Sequence, residues 1–149
     1  MTEVSFYHLQ AEPLERALPR LLDKVNERGL RTFVRLRTEG LLTLLDEQLW
    51  TWSGPSFLPH GPNGDEQAAH YPVTLGLEGE KPANNPTVLV LLEDAAAADV
   101  ADFDRCLYMF DGNDDALLQA ARARWKSFKD EGVQVTYWQQ GPEGWQKRA

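Results

Sequence analysis

Two adjacent carboxylates, Glu93 and Asp94, are the side chains of this sequence best placed to carry out chemistry. They follow the uninterrupted apolar run 88–92, which is typical of a central strand, and open α/β sheets bind ligands beyond the carboxyl ends of such strands. Paired carboxylates at that place could hold a metal ion or share a proton. A polar turn that caps the next element needs the same residue types. Capping is the simpler interpretation, and a metal- or nucleotide-dependent α/β hydrolase using Glu93 and Asp94 is the alternative function.

Other patterns associated with catalysis or metal binding are weak. The acidic segment 111–115 resembles a calcium loop only superficially, because its glycine is misplaced and Arg122 stands where a bidentate glutamate is needed. We therefore predict that Asn113 or Asp111 caps a helix. Cys106 lies in an apolar strand and is predicted to behave as a small hydrophobic residue. The three histidines of the chain are His8, His60 and His70, and they lack the spacing of zinc ligands. No cofactor is predicted.

A basic helix near residue 120 carries the most informative pattern. Arg122, Lys126 and Lys129 recur at positions i, i+4 and i+7, so their side chains share one helical face. An apolar stripe runs beside them: Leu118, Ala121, Trp125 and Phe128. This combination predicts a crevice in which Arg122 grips a carboxylate and Trp125 forms the floor for an apolar side chain. The other interpretation is a solvated basic face on a helix whose Trp and Phe belong to the core.

The charge distribution limits the partners. The 149-residue chain has a formal net charge of −8, which argues against a general nucleic-acid-wrapping surface. Segment 93–115 has eight acidic residues and one basic residue, whereas six basic and three acidic residues follow from position 122 onward. A local basic helix in an acidic protein favours an acidic peptide or a single phosphate over a nucleic-acid duplex. Direct binding of single-stranded DNA through this helix is a third hypothesis.

The order of elements predicts one α/β domain spanning residues 1–149. Strands are expected near 4–9, 31–36, 72–75, 88–92, 106–110 and, at a sheet edge, 133–138, with helices near 13–29, 38–52 and 113–131. We predict a three-layer, Rossmann-like sandwich with a largely parallel sheet and helices on both faces. The first strand–helix turn, residues 10–13, contains no glycine, so no nucleotide-binding glycine loop is expected. Residues 53–72 are predicted to form a long functional loop.

The expected location is cytoplasmic. A single cysteine allows no internal disulfide bond, which suits a reducing compartment. The first six residues lack the features of a secretory signal. No apolar run approaches the roughly 20 residues of a membrane span, so no membrane association is expected.

Four segments together are similar to a known family. They are Phe6-Tyr7, Leu45-Asp46-Glu47-Gln48-Leu49-Trp50, Ser56-Phe57-Leu58-Pro59-His60 and Ala121-Arg122-Ala123-Arg124-Trp125-Lys126. In order and spacing they resemble the chi subunits of bacterial DNA polymerase III holoenzyme along the whole chain. The second and third segments are the more specific; the last alone would be weak.

The resemblance implies a clamp-loader accessory subunit without enzymatic activity of its own. Chi subunits pair with the psi subunit and bind the acidic C-terminal tail of single-stranded DNA-binding protein, which ends in an aromatic residue with a free carboxylate. The chain would therefore reach DNA only indirectly. Trp125 departs from the tyrosine often found in relatives, which keeps an apolar floor but changes its hydrogen bonding. The family's tail-binding positions fall on Arg122, Trp125 and Lys126. Phe57 is expected to close the pocket. The nearby cations Arg124 and Lys129 are also predicted to belong to the tail-binding site.

The psi interface is harder to place from the sequence. Trp50, Trp52 and Leu58 are the candidates, because exposed aromatic and apolar side chains mark interfaces. The same residues could equally belong to the core.

Overall fold

One sheet of eight strands organises the protein. The structure, a computed structural model, describes residues 2–10, 12–51, 59–141 and 144–148. The elements in chain order are β1 (Glu3–Leu9), α1 (Leu14–Glu27), β2 (Thr32–Leu36), α2 (Glu39–Thr51), β3 (His60–Pro62), β4 (Val73–Leu77), β5 (Val88–Leu91), β6 (Arg105–Asp111), α3 (Asp115–Asp130), β7 (Gln134–Gly141) and β8 (Gly144–Lys147).

The sheet is parallel except at one edge. Its strand order is β3-β4-β2-β5-β6-β1-β7-β8, and only β7 and β8 pair in an antiparallel manner. The predicted mixed α/β fold with a largely parallel sheet is therefore confirmed. The prediction that segment 133–138 forms an edge strand is wrong, because β8 covers β7 on its outer side, with Trp138 opposite Lys147.

Alternating residues of the strands divide the core into two clusters. Val34 and Leu36 of β2 join a cluster that includes Leu18 of α1 and Leu45 of α2. Phe33, which directly precedes Val34 in β2, joins the other cluster, which also contains Ala121 and Phe128 of α3. Successive strand residues point to opposite faces. Helices α1 and α2 thus cover one face of the sheet, and α3 covers the other.

Helix α1 begins directly after a proline and continues through a second one. Pro13 occupies the N-cap position, and Pro19 lies inside the helix among buried residues. Proline lacks the N–H of a regular helical hydrogen bond. Burial of Leu18 and Leu22 against the sheet compensates for that loss.

The acidic segment before α3 caps the helix. Asp114 Oδ1 accepts a hydrogen bond from the backbone N–H of Leu117 at 3.1 Å, and Asp111 accepts one from Asn113 N–H at 2.9 Å. The predicted capping role is confirmed, although the cap is Asp114 rather than Asn113 or Asp111. The helix stops before Gly132, whose φ of 79° is in the region that glycine tolerates best.

Gly112 lies against buried His8, and this contact leads to a stability prediction. A Cβ at Gly112 would overlap Nε2 of His8 and lie 2.9 Å from the carbonyl oxygen of Leu9. We expect Gly112→Ala to lower the free energy of unfolding by about 1–3 kcal/mol, because the added methyl group overfills a packed site. Urea denaturation measures this change. Gly64→Ala is the matched control, since a Cβ there meets nothing within 4 Å; equal losses in both variants would contradict the steric explanation.

The predicted long loop contains regular elements. Within residues 59–72 the chain forms β3 and a single 3₁₀ turn at Ala68–His70. Residues 52–58 lie outside the described part of the chain. In the ranges that the structure describes, no helix combines the length and the apolar character needed to cross a membrane.

Candidate peptide-binding site

Trp125 is half-buried at the edge of α3, where it separates the core from the solvent. Its ring packs edge-on against Phe6 at 5.5 Å and Tyr137 at 5.6 Å between centroids. Phe128, by contrast, is only 6% exposed and belongs to the core. The sequence placed both residues in one apolar stripe. The structure keeps only Trp125 partly accessible, so this ring is the floor that α3 can offer to a ligand.

Cationic side chains lie along the solvent side of Trp125. Arg122, Lys126 and Lys129 are all exposed, and Lys129 Nζ lies 5.3 Å above the Trp125 ring in a cation–π contact. Across the described residues, none of these three cations takes part in an ion pair. Their charges therefore remain available to an anion that reaches the tryptophan.

Arg124 occupies a different side of the helix. Its guanidinium group donates to Asp94 Oδ1 at 3.1 Å and to the carbonyl oxygen of Ala95 at 3.2 Å. It also stacks over the rings of Tyr108 and Phe128, at 5.5 and 5.7 Å. The predicted site grouped Arg124 with Arg122. The structure instead connects Arg124 to the sheet, where it holds α3 in position.

Glu93 and Asp94 are both engaged in hydrogen bonds within the protein. The Glu93 carboxylate accepts from the backbone N–H groups of Arg37 and Thr38, at 2.9 and 3.0 Å, and from the Thr38 hydroxyl group. It thereby serves as the anion at the N-terminus of α2. Asp94 accepts from the Tyr108 hydroxyl group at 2.5 Å as well as from Arg124. The predicted polar turn is present, with positive φ at both residues. Its role differs from the prediction, because Glu93 caps α2, which lies earlier in the chain, and Asp94 binds Tyr108 and Arg124.

Two other candidates for chemistry, Cys106 and His60, are also held inside the fold. Burial raises the pKa of the Cys106 thiol to about 12, so the reactive thiolate is suppressed near neutral pH. The buried His60 ring lies 3.1 Å from the Asp46 carbonyl oxygen. Among the described residues, no group of three or more histidine, cysteine or acidic side chains is arranged to hold a metal ion.

Sequence reasoning missed two residues beside Arg122. His8 Nδ1 lies 2.7 Å from the Tyr137 hydroxyl group, and Tyr137 packs against Trp125. Burial and the nearby Arg122 cation lower the pKa of His8, while burial raises that of Tyr137. The alternation within β7 contained the signal, because it places Tyr137 on the face that α3 covers.

The two most specific sequence segments meet in space. Trp50, at the end of α2, is 57% exposed, and its ring centroid lies 4.7 Å from that of His60. His60 also approaches Asp46, at 3.4 Å from Oδ1. His60 of the third segment thus contacts the second segment beside an exposed aromatic side chain. The predicted interface residues Trp52 and Leu58 and the predicted pocket residue Phe57 lie outside the described residues.

Comparison with known proteins agrees with the resemblance carried by these segments. The family model described as DNA polymerase III chi subunit, HolC, matches residues 1–136. A DNA polymerase III subunit chi of Pseudomonas aeruginosa is 33% identical over 135 residues, which are 89% of this chain and 92% of that protein. The Escherichia coli subunit chi is 28% identical over 107 residues, or 72% of each chain. A probable subunit chi of Rickettsia prowazekii is 28% identical over 110 residues, 74% of this chain and 66% of that protein. The protein belongs to the family of DNA polymerase III chi subunits.

Proposed function

We propose that this protein is a non-catalytic accessory subunit of the DNA polymerase III complex in DNA replication. It links the clamp loader, through the psi subunit, to single-stranded DNA-binding protein by binding the acidic C-terminal tail of the latter. The observation that carries this proposal is the half-exposed Trp125 beside three cations without ion-pair partners in the described residues. Membership in the chi family supports the role in the polymerase complex.

The proposed mechanism is recruitment by a short peptide. Arg122 and Lys126 attract the acidic tail, and its terminal aromatic side chain packs on Trp125. One of the cations then meets the terminal carboxylate, while Lys129 keeps the tryptophan ring in place. A single contact of this kind is weak and sensitive to salt, and it gains strength when several tails are presented together.

Calorimetry with a synthetic tail peptide tests this mechanism. We expect the peptide to bind, and we expect binding to weaken when its terminal aromatic residue is removed or when the salt concentration rises. A matched peptide with the same charge and no terminal aromatic separates packing on Trp125 from general attraction. Equal affinity for the two peptides would contradict the assignment of Trp125 as the floor.

The exposed Trp50 is the proposed contact with the psi subunit. A large aromatic ring that is mostly in solvent is an expected anchor for a partner protein. We expect Trp50→Ala to weaken psi binding by about 2 kcal/mol, roughly 30-fold. Circular dichroism checks that the variant is folded, because the Trp50 ring also contacts His60. Surface plasmon resonance with immobilised psi measures this effect.

Leu44→Ala is the control for Trp50→Ala. Leu44 is also a large apolar side chain of α2 and is 40% exposed. Because Leu44 lies six residues before Trp50, the two side chains point to different sides of the helix. We expect its removal to leave psi binding within about twofold of the wild-type value, since most interface positions contribute little. Unchanged psi binding by Trp50→Ala would place the interface elsewhere.

The finer fold description and the location belong to the same proposal. We infer a three-layer, Rossmann-like sandwich, supported by the packing of α1 and α2 in one cluster and α3 in the other. The glycine-free turn 10–13 supports the loss of a phosphate-binding loop. A cytoplasmic location fits a subunit of a replication complex.

A further inference from the structure

A large groove lies on the face of the sheet opposite to α3. It has a volume of about 930 Å³ and runs between α1 and the β7–β8 hairpin. None of its lining residues belongs to the proposed tail-binding or psi-binding surfaces. The groove is therefore a feature that the proposed function does not use.

Four basic residues form one wall of this groove. Arg16, Arg20, Lys24 and Arg28 are all exposed and line it at four-residue intervals along α1 and its C-cap. With a rise of 1.5 Å per residue, each interval is about 6 Å, and the row extends about 18 Å. Arg20 pairs with Glu12, which is the single acidic residue among the described residues of the lining. The other three have no ion-pair partner within the described ranges.

Aromatic side chains form the opposite wall. Tyr7, Trp138 and Trp145 all line the groove, and Trp145 packs edge-on against Tyr7 at 5.2 Å. Trp138 lies opposite Lys147 in the β7–β8 register, while Trp145 lies opposite Gln140. Directly opposed residues share a face of the hairpin, so Lys147 adds a cation beside the tryptophans.

The combination identifies the chemistry of a ligand. A row of evenly spaced cations matches a chain of evenly spaced phosphates better than an irregular acidic peptide. Half-exposed aromatic rings across from such a row provide stacking surfaces for bases. The whole chain has a formal net charge of −8, so a polyanion would be attracted only to local clusters of cations such as this row and the one on α3. The protein also belongs to a family of subunits of a DNA polymerase.

We propose that the groove between α1 and the β7–β8 hairpin binds single-stranded DNA directly, with its phosphates along Arg16, Lys24 and Arg28 and its bases against Trp138 and Trp145. This contact goes beyond the proposed function, in which the chain reaches DNA only through single-stranded DNA-binding protein. It uses the sheet face opposite to the tail site, so the two can act independently.

Fluorescence anisotropy with a labelled oligothymidine of about 15 nucleotides tests the proposal on the full chain. We expect binding at about 50 mM salt, with the logarithm of affinity falling by about 2–3 per tenfold increase in salt, as three or four neutralised phosphates require. Intrinsic tryptophan fluorescence should be quenched on binding. The double reversal Arg16→Glu and Lys24→Glu should lower affinity at least about tenfold.

Two comparisons decide between this groove and other sites. Arg122→Glu with Lys126→Glu, an equal change of charge on α3, should leave oligothymidine binding unchanged. Trp138→Leu, which keeps an apolar side chain, should weaken binding and reduce the quenching if bases stack there. Circular dichroism confirms that each variant is folded.

Three results would overturn the proposal. The first is no oligothymidine binding by the wild-type protein at low salt. The second is loss of binding in the α3 variant with retention in the α1 variant, which would assign DNA binding to the basic helix α3. The third is displacement of the oligonucleotide by an acidic peptide that itself binds in a manner dependent on Arg16 and Lys24, which would make the groove a peptide site.

Discussion

Reversing Arg122 and Lys126 to glutamate should abolish binding of the acidic tail peptide while the protein remains folded. Both side chains are exposed beside the half-buried Trp125, and neither has an ion-pair partner in the described part of the chain. Like charges would then face the tail. We expect a loss of about 2 kcal/mol or more, which is at least about 30-fold in affinity. Isothermal titration calorimetry with the tail peptide measures it.

The control reverses one cation outside α3, so it changes the net charge by −2, against −4 in the double variant. Lys81 is exposed in the segment between β4 and β5, so Lys81→Glu changes the net charge at a remote position. We expect tail affinity to fall by less than about twofold at moderate salt, because screening limits long-range effects. An equal loss in both proteins would indicate a general charge effect rather than a site on α3.

Removing Asp99 should destabilise the fold more than any other single surface change considered. Arg35 is only 4% exposed and donates to both carboxylate oxygens of Asp99, at 2.7 and 2.9 Å. In Asp99→Ala the guanidinium group loses its anionic partner and, among the described residues, keeps the carbonyl oxygen of Ala96 at 3.3 Å and a cation–π contact with Phe33 at 5.4 Å. Since the Asp99 side chain is 38% exposed, we expect the lower end of the usual cost, about 3 kcal/mol. Urea denaturation at neutral pH measures the loss.

The same pair predicts how stability depends on pH. Hydrogen bonds from Arg35 hold the pKa of Asp99 below its usual value of 3.8, and burial opposes them. A lowered pKa means that the carboxylate contributes its stability at neutral pH and loses it as the pH falls through the lowered value. The difference in unfolding free energy between wild type and Asp99→Ala should therefore have its largest value at neutral pH and should decrease as the pH falls below about 4.

A second ion pair provides the control for Asp99. Arg37 pairs with Glu78 at 3.2 Å, but the Arg37 side chain is 55% exposed. Arg37→Ala should cost less than about 1 kcal/mol, as is usual for surface pairs. If Asp99→Ala unfolds at the same urea concentration as Arg37→Ala, burial of Arg35 does not increase the cost of losing its ion-pair partner.

Long elements with strong local patterns could be predicted from the sequence, and short ones could not. The apolar run 88–92 and the helical spacing after Pro13 correspond closely to β5 and α1. Strand β3 was missed because it has three residues, of which two are Gly61 and Pro62, and its pairing with β4 defines it. Strand β8 was missed because its partner β7 was predicted to be the edge.

The candidate site was predictable as a helical face but not as a surface. Spacing alone placed Arg122, Lys126 and Lys129 together, and the structure has all three exposed. Spacing could not separate Trp125 from Phe128, because the depth of a side chain depends on the rings across from it, namely Phe6 and Tyr137. Nor could it reveal that Arg124 is bound to Asp94, a contact between residues 30 positions apart.

The turn at Glu93 and Asp94 has a mechanical consequence for a protein proposed to join two assemblies. Glu93 accepts hydrogen bonds at the start of α2, the helix whose last turn carries Trp50, and Asp94 binds Arg124 of α3, the helix that carries Trp125. Tension between the two attachment surfaces would thus pass through neighbouring residues at the end of β5, which is hydrogen-bonded to β2 and β6 on both sides. A strand that is paired on both sides would then resist the pull, which would limit any change in the distance between the two proposed partners.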